Sequence, residues 1–461
     1  MAELSSAHSE RVQAVSWRPL LEGVLAGLLT GIVAVCSPAT FVAMALVGLT
    51  LWGIWRVQPR EEREWLMWAF GIAWGVRVVL SAGLHLWHGW TVPYGPLALE
   101  ADSGGYLGAG WFLSEAWHGH YESLKQAMMI HWHVFHGIHP FIYVMAGVFY
   151  VFGFSPVAVT FVNTWIALMG LLVLYGFTRR VTTLQATRVA FVLAAASPSW
   201  LFFSITHMKE PLLFLGVSLW IWAGWRWLET FRPRYLVGLM LAGWIVWACR
   251  EWMLAIYVTI GCVFTLGVWL ARRRPPVRRR VSAAVVTLLV AGVALAHRPV
   301  AAKVHSALLT MAGQATAFHY TGGSSYYLYD LQLSDAQNIQ PGPFSRALFR
   351  GWRQVIWTYW PPWRTTSSLQ RLVLPEVLLI DAVLPLAVIG WSLLLWFQRS
   401  LAGWWMAAIA GSFLMVLALS GGNVGTLFRH KQLFLPIYAL AVAMGWTWVW
   451  SRLSAARGST T

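Results

Sequence analysis

The residues best suited to chemistry in this chain are two carboxylates, Glu100 and Asp102, in a short polar stretch that ends at Tyr106. Acidic residues are scarce, with 17 Asp and Glu against 33 Lys and Arg in 461 residues. The pair follows a long apolar run, and carboxylates just outside a membrane span can act as a general base or hold a cation. Asp102 or Ser103 could equally cap a helix. The presence of Glu100 beside Asp102 favours the functional interpretation, with Asp102 as the base.

Two further charged pairs stand at the borders of apolar segments, Lys209-Glu210 and Arg250-Glu251. Pro211 marks the start of a helix, and Glu210 suits the positive end of that helix dipole. Structural capping and a second acidic group facing Asp102 explain Glu210 about equally well. For Arg250-Glu251 a local charge pair at a helix break is favoured over a chemical role.

A glycine-rich stretch near the C-terminus, from Gly421 to Lys431, ends in the cations Arg429 and Lys431. Glycines allow close backbone approach, and a guanidinium group binds phosphate through two hydrogen bonds. No Gly-Lys-Ser/Thr sequence ends the stretch, so it is not a Walker A loop. The pattern predicts an anion-binding segment.

Six histidines lie between His118 and His139. Their spacing matches no closed zinc pattern and no cysteine lies among them, so a membrane-surface location is favoured over a metal site. His139 precedes Pro140, at the start of a short apolar segment. The carboxylates Glu100 and Asp102 would suit Mg²⁺ or Mn²⁺, and the sequence predicts no other cofactor.

The composition of the chain indicates which kind of secondary structure carries these residues. The chain is 58% hydrophobic and 11% charged, with a mean hydropathy of +0.60. Soluble domains carry about 25% charged residues, and many apolar stretches here approach the roughly 20 residues that cross a bilayer. The sequence therefore predicts an all-α polytopic membrane protein. The net charge of +16 is assigned to cationic loops at the cytoplasmic face and not to nucleic-acid binding, because the arginines of 272–280 lie between two apolar segments.

Arginine and lysine positions predict cytoplasmic N- and C-termini and two large outer loops. An even number of crossings between those loops requires that the short segment 140–153 does not cross, which gives about twelve spans. The predicted regions are N-terminal spans (1–89), the first outer loop with its juxtamembrane segment (90–156), a central bundle (157–297), the second outer loop (298–374) and C-terminal spans (375–461). Asp102, Lys209-Glu210 and Arg250-Glu251 then lie on the outer face.

An ordered set of these motifs resembles the GT-C superfamily of membrane glycosyltransferases, and most closely its branch of protein O-mannosyltransferases and aminoarabinose transferases. The acidic loop is followed by Gly137-Ile138-His139-Pro140-Phe141-Ile142-Tyr143, then Arg179-Arg180, then Lys209-Glu210-Pro211. The likeness covers residues 95–230. His139 stands where the family usually has lysine, the second of its paired prolines is missing, and two extra apolar segments precede the expected first span.

The resemblance implies a polyprenyl-phosphate sugar as donor and a hydroxyl on a lipid, glycan or protein as acceptor, with transfer on the outer face of the inner membrane. It implies Asp102 as the base and inversion at the anomeric carbon. Glu210 is the second candidate catalytic residue. The candidate substrate-binding residues are Glu100, Tyr106, His139, Lys209, Arg250, Arg429 and Lys431.

Two other classes of function fit the sequence. A polysaccharide polymerase or O-antigen ligase-like enzyme would use a similar donor, with its chemistry centred on Arg429 and Lys431. A lipid or solute transporter would show inverted repeats and broken helices, and no repeat is visible in the sequence.

Overall fold

The computed structural model describes residues 38–91, 101–135, 140–272, 368–397, 400–420 and 430–458. These residues are helical almost throughout and contain no strand, which confirms the all-α prediction for the described part of the chain. In chain order the helices are α1 Pro38–Val57, α2 Arg60–Thr91, α3 Ala101–Trp117, α4 Tyr121–Phe135, α5 Pro140–Phe152, α6 Pro156–Val181, α7 Leu184–Ala196, α8 Pro198–Ser204, α9 Glu210–Thr230, α10 Arg234–Cys249, α11 Glu251–Arg272, α12 Ser368–Ala382, α13 Leu384–Ser392, α14 Leu401–Ser420 and α15 Leu435–Gly458.

The core of the bundle is formed by α6, α9 and α10, and glycines set its close packing. A Cβ atom on Gly170 of α6 would lie 2.6 Å from the Phe214 ring of α9. A Cβ atom on Gly216 of α9 would lie 2.8 Å from a methyl group of Ile245 in α10. Small residues let apolar helices approach closely, and close approach maximises dispersion contacts where the hydrophobic effect is weak.

One end of this bundle, here called the arginine end, is held by an ion pair between a buried carboxylate and a partly exposed arginine. Glu62 of α2 accepts a hydrogen bond of 2.7 Å from Arg179 Nε of α6. The Tyr175 hydroxyl donates a second bond, of 3.1 Å, to the same carboxylate. The turn before α2 and the end of α6, both predicted to be cytoplasmic, therefore meet at one end of the bundle.

Two apolar runs that read as single spans in the sequence are bent helix pairs. The axes of α7 and α8 differ by 62°, and the second pair, Leu374–Ala382 and Leu384–Trp396, is bent by 45°. Each break precedes a proline, Pro198 and Pro385, which cannot donate the backbone hydrogen bond that a continuous helix requires. Ser197 caps α8 by accepting a hydrogen bond from the Trp200 amide.

The described residues do not confirm the predicted twelve spans. Within the described residues five helices are long and apolar enough to cross a membrane, or up to seven if each bent pair is one span. The predicted spans 20–36 and 281–297 and the second outer loop 298–374 lie outside the described residues. The remaining predicted spans coincide with shorter or more charged helices, among them α10 and α14.

Within the predicted first outer loop, the described residues 101–135 are mostly helical, a local structure that the sequence analysis did not predict. They form α3 and α4, and Gly119 between these helices adopts a left-handed backbone with φ of 99°. Glycine is favoured in this conformation because it has no Cβ atom. The short segment 140–153 forms the 13-residue α5, about 20 Å long, which is less than the roughly 30 Å hydrocarbon core.

Candidate functional site

A non-helical linker between α8 and α9 positions the Lys209-Glu210 pair. Asn163 of α6 donates from Nδ2 to the carbonyl oxygens of Thr206 at 2.6 Å and Met208 at 3.1 Å. Thr164 Oγ1 donates to the carbonyl oxygen of Ser204 at 3.1 Å. Backbone groups that leave a helix inside an apolar bundle must find other partners. Side chains of α6 supply them and thereby fix the linker against the bundle.

The histidine in this linker is held on both sides. His207 is 1% exposed, and its Nε2 lies 2.9 Å from the Pro156 carbonyl oxygen and 3.0 Å from Thr160 Oγ1. Because a carbonyl oxygen only accepts, Nε2 carries the hydrogen in this arrangement. The linker therefore lies against the first turns of α6, opposite the arginine end.

Three of the predicted charged residues meet at this second end of the bundle. Lys209, Glu210 and Arg250 all act electrostatically on the thiol of Cys249, the last residue of α10. Glu210 is 1% exposed, and Lys209 and Arg250 are half-buried. Cations in the same region lower the cost of burying the carboxylate of Glu210.

Two residues near the C-terminus complete the group of charges. Arg250 contacts His430 through Nη2 and Nε2, across 180 positions of sequence. Lys431 follows His430 and experiences the charges of Asp381 and Glu376 of α12. We call Lys209, Glu210, Arg250, His430 and Lys431 the charged cluster.

Desolvation lowers the pKa of Lys431 to about 8, although the carboxylates of Asp381 and Glu376 act in the opposite direction. Lys431 directly precedes the candidate span Gln432–Ala455. A lysine with this pKa changes charge in the physiological range and remains cationic below it.

Two buried charges hold the break between α7 and α8. Arg77 of α2, 1% exposed, donates to the carbonyl oxygen of Ala195 at 2.8 Å and to Ser204 Oγ at 2.9 Å. Glu376 of α12 accepts from the Ser199 amide at 2.9 Å and from the hydroxyl groups of Ser197 and Ser199. The cation faces the carbonyl end of α7 and the carboxylate faces the amide end of α8, which matches both helix dipoles.

The remaining predicted site residues fall in different places. Asp102 lies in the first turn of α3, and only its backbone position is described. Tyr106 is 1% exposed and its ring packs edge-on against Phe141 at 5.8 Å, so its ring lies in the core between α3 and α5. Glu100, His139 and Arg429 lie outside the described residues.

Within the described part of the chain, no group of three or more His, Cys, Asp or Glu residues could hold a metal ion. His118 Nδ1 lies 2.9 Å from the Ser114 carbonyl oxygen, and His120 Nδ1 lies 2.8 Å from Glu115 Oε2. Both contacts stabilise the turn between α3 and α4. The metal hypothesis for Glu100 and Asp102 depends on side chains that the structure does not describe, so no chemical step is assigned to a metal.

Comparison with known proteins shows no family model, no curated protein and no solved structure that matches this chain. The likeness to GT-C enzymes therefore depends on the ordered motifs alone.

Four residues of the site were not identified from the sequence: His430, Glu376, Asp381 and Asn163. His430 lies between Arg429 and Lys431, so its position was an available signal. Glu376 is one of only 17 acidic residues, so its scarcity was the signal. Asn163 gave no signal, because a lone amide in an apolar helix has no distinguishing pattern.

Proposed function

We propose that this protein is an integral-membrane glycosyltransferase of GT-C type, with about twelve spans and cytoplasmic termini, which transfers a sugar from a polyprenyl-phosphate donor on the outer face. One observation carries the proposal: four side chains that can be cationic and one buried carboxylate, from three distant parts of the sequence, meet at one end of the bundle. Charged groups are energetically unfavourable inside an apolar bundle, so a cluster of them usually marks a functional site.

The charged cluster suits a phosphate leaving group. Transfer forms a bond between the acceptor oxygen and the anomeric carbon and breaks the bond from that carbon to the phosphate oxygen. The acceptor proton goes to the base, for which Asp102 is proposed, and the polyprenyl phosphate departs with the bonding electrons. Lys209, Arg250 and Lys431 would stabilise the charge that develops on that phosphate.

The helix that carries Asp102 is connected to the cluster through α5. This helix contacts α3, α6 and α10. The last residue of α10 is Cys249, directly before Arg250. A base on α3 and cations beside α10 therefore belong to helices that pack against one another through α5, and transfer between them depends on such positioning.

The test is release of free polyprenyl phosphate by purified protein from a panel of polyprenyl-phosphate sugars, with and without EDTA. Wild type is compared with Asp102→Asn, which keeps the shape of the side chain, and with Arg250→Ala. Arg60→Ala and Glu64→Gln are the controls, because both residues are exposed in the first turns of α2, at the arginine end. We expect release by wild type and both controls, and a loss of about 10²–10⁴-fold in Asp102→Asn. Undiminished release by Asp102→Asn would overturn its assignment as base.

A second candidate function, transport of a lipid or solute, is favoured by the two bent helix pairs. Transporters place ligand sites at broken helices and use their ends to bind charge. Arg77 and Glu376 at the α7–α8 break fit that description. Donor binding without release of polyprenyl phosphate, combined with movement of the intact lipid across vesicles, would favour transport.

The polymerase or ligase alternative retains Lys431 in the site but depends on Arg429, which is not described. Arg429→Ala and Asp102→Asn separate the two enzyme classes. Loss of sugar transfer in Arg429→Ala alone would favour the polymerase, and loss in Asp102→Asn alone would favour the glycosyltransferase.

A further inference from the structure

A large apolar groove lies far from the charged cluster, near the arginine end. Its volume is about 610 Å³, within the range of about 300–1,000 Å³ typical of cavities that bind small organic molecules. Its lining is overwhelmingly apolar and includes Trp227, Leu236, Leu266 and Trp269.

The groove results from the way α10 and α11 diverge. The two helices are consecutive and meet near Arg250, where a Cβ atom on Gly243 would lie 3.2 Å from Leu254. The groove is lined by the first turns of α10 and the last turns of α11, with Trp220 and Phe231 of α9 behind them. The helices are therefore packed at the cluster end and separated at the arginine end.

The surface around the groove is apolar as well as exposed. Val237 is 68% exposed and Met240 is 74% exposed on α10. In a helix bundle rich in apolar spans, such a face is in contact with lipid chains and not with water. An occupant of the groove is thus expected to arrive from the bilayer.

Cations border the mouth of the groove. Arg232 and Arg234 are exposed in the turn between α9 and α10, beside Phe231 and Leu236 of the lining. Arg234 donates to the Tyr235 hydroxyl at 3.0 Å, and within the described residues the side chain of Arg232 forms no hydrogen bond or ion pair. The nearby carboxylate, Glu229, is already paired with Arg226.

A second cavity, of about 380 Å³, adjoins the groove at their shared residue Leu228. Arg180 and Ser400 contribute a cation and a hydroxyl group to its lining, and the carboxylate of Glu229, which also lines it, is paired with Arg226. The apolar groove can hold an acyl chain, and the neighbouring arginines can bind an anionic head group. Together they suit an amphipathic anion.

We propose that the groove between α10 and α11 binds an acyl chain of an anionic phospholipid, whose phosphate group lies against Arg232 and Arg234. Guanidinium groups bind phosphate oxygens in a bidentate manner, and basic residues next to a membrane surface select anionic lipids. The arginine end is predicted to be cytoplasmic, so the site would lie in the cytoplasmic leaflet, where anionic lipids are enriched. The donor's phosphate is proposed at the opposite end, so this lipid is a different ligand.

The test uses purified protein in nanodiscs that contain phosphatidylglycerol or phosphatidylcholine with a photoreactive group on one acyl chain. Adducts are mapped by peptide mass spectrometry. We expect phosphatidylglycerol adducts on peptides of α10 and α11, including the region of Cys262, which lines the groove. Sugar transfer plays no part in this readout, so failure of the proposed function leaves the test intact.

The double variant Arg232→Ala/Arg234→Ala should lower the phosphatidylglycerol adduct yield by up to about 30-fold, because each basic residue contributes about fivefold in affinity for anionic lipid. Its phosphatidylcholine yield should not change. Arg56→Ala/Arg60→Ala is the control, because both arginines are exposed and lie on α1 and α2, away from the groove. Equal yields of both lipids, unchanged by the double variant, would overturn the proposal.

A different occupant is the chain's own apolar segment 281–297, which follows α11 in sequence. Single cysteines along that segment are tested for a disulfide with Cys262 under mild oxidation. Efficient cross-linking together with absence of lipid adducts would show that the chain fills its own groove and would also overturn the proposal.

Discussion

At the scale of single residues, the site depends on neutral side chains as much as on charged ones. Lys209 and Glu210 follow a linker without helical hydrogen bonds, and Asn163 holds that linker through two carbonyl oxygens. An amide provides two donors in a fixed plane, which hydroxyl groups and carboxylates do not. Asn163 is thus a positioning residue for the charged cluster.

We expect Asn163→Asp to be more damaging than Asn163→Ala. Alanine leaves two buried carbonyl oxygens unsatisfied, at about 1–3 kcal/mol each, whereas aspartate adds repulsion between a carboxylate and those oxygens. The measurements are thermal unfolding in detergent and donor turnover. Thr259→Ala is the control, because its exposed hydroxyl bonds only to its own helix. An aspartate variant as stable and active as wild type would contradict the positioning role.

Lys431 should make donor use depend on pH. Its pKa of about 8 means that the side chain is cationic below pH 8 and neutral above it. If the cation binds the donor phosphate, kcat/KM for the donor falls as pH rises through about 8, because this ratio reports the free enzyme. Lys431→Arg, whose guanidinium stays charged, should abolish that fall. A wild-type profile that is flat from pH 7 to 9 would exclude this role for Lys431.

At the scale of elements, the broken helix α7–α8 determines where the linker and the cluster lie. If the helix that begins at Leu184 continued straight, the chain would pass the first turns of α6 and the linker would not lie against them. The 62° bend ends α8 at Ser204, beside Thr164 and Arg77. Proline permits the break, and the two buried charges stabilise one geometry for it.

Glu376→Gln should destabilise this break by about 1–3 kcal/mol. A glutamine has one acceptor oxygen where the carboxylate has two, so its amide group would face donors of Ser197 or Ser199. The melting temperature in detergent is the measurement, with Glu64→Gln as the control, because Glu64 is exposed near the start of α2, at the arginine end. Equal melting temperatures for the two variants would show that the carboxylate does not hold the break.

At the scale of the whole molecule, the bundle has two charged ends with different chemistry. The arginine end carries Glu62 paired with Arg179 and the exposed arginines that border the groove. The cluster end carries Lys209, Glu210 and Lys431. The candidate span Pro156–Val181 connects the two ends. We therefore expect the proposed reaction and the proposed lipid site in opposite leaflets.

Single-cysteine labelling on either side of that span should show its orientation. In a variant without the native cysteines, Phe154→Cys should react with a membrane-impermeant maleimide on intact cells. Gln185→Cys should react only after permeabilisation. Both positions are exposed in the structure, so access depends on the membrane alone. The reverse pattern would contradict the orientation inferred from the arginines.

The sequence by itself determined the helical class and many helix ends. Apolar composition excludes a soluble fold, because so few charged residues cannot cover a water-exposed surface. Ser155 before Pro156, Thr183, and Ser197 before Pro198 cap three helices that the structure contains, since capping depends only on neighbouring residues. Lys209, Glu210 and Arg250 were selected because a charge beside an apolar run is costly unless it is used.

Only the tertiary structure decided which of these residues meet. Arg250 contacts His430 across 180 positions, and Glu376 reaches Ser199 across 177. No local pattern carries such pairings, because they depend on how helices pack and not on the order of residues within one helix. Hydropathy alone did not show the bends after Ala196 and Ala382, because it is the same for one helix or two. The stretch around Asp102 is helical although Asp, Ser and Gly are poor helix formers, because the rest of α3 packs against α5 and buries Tyr106 beside Phe141.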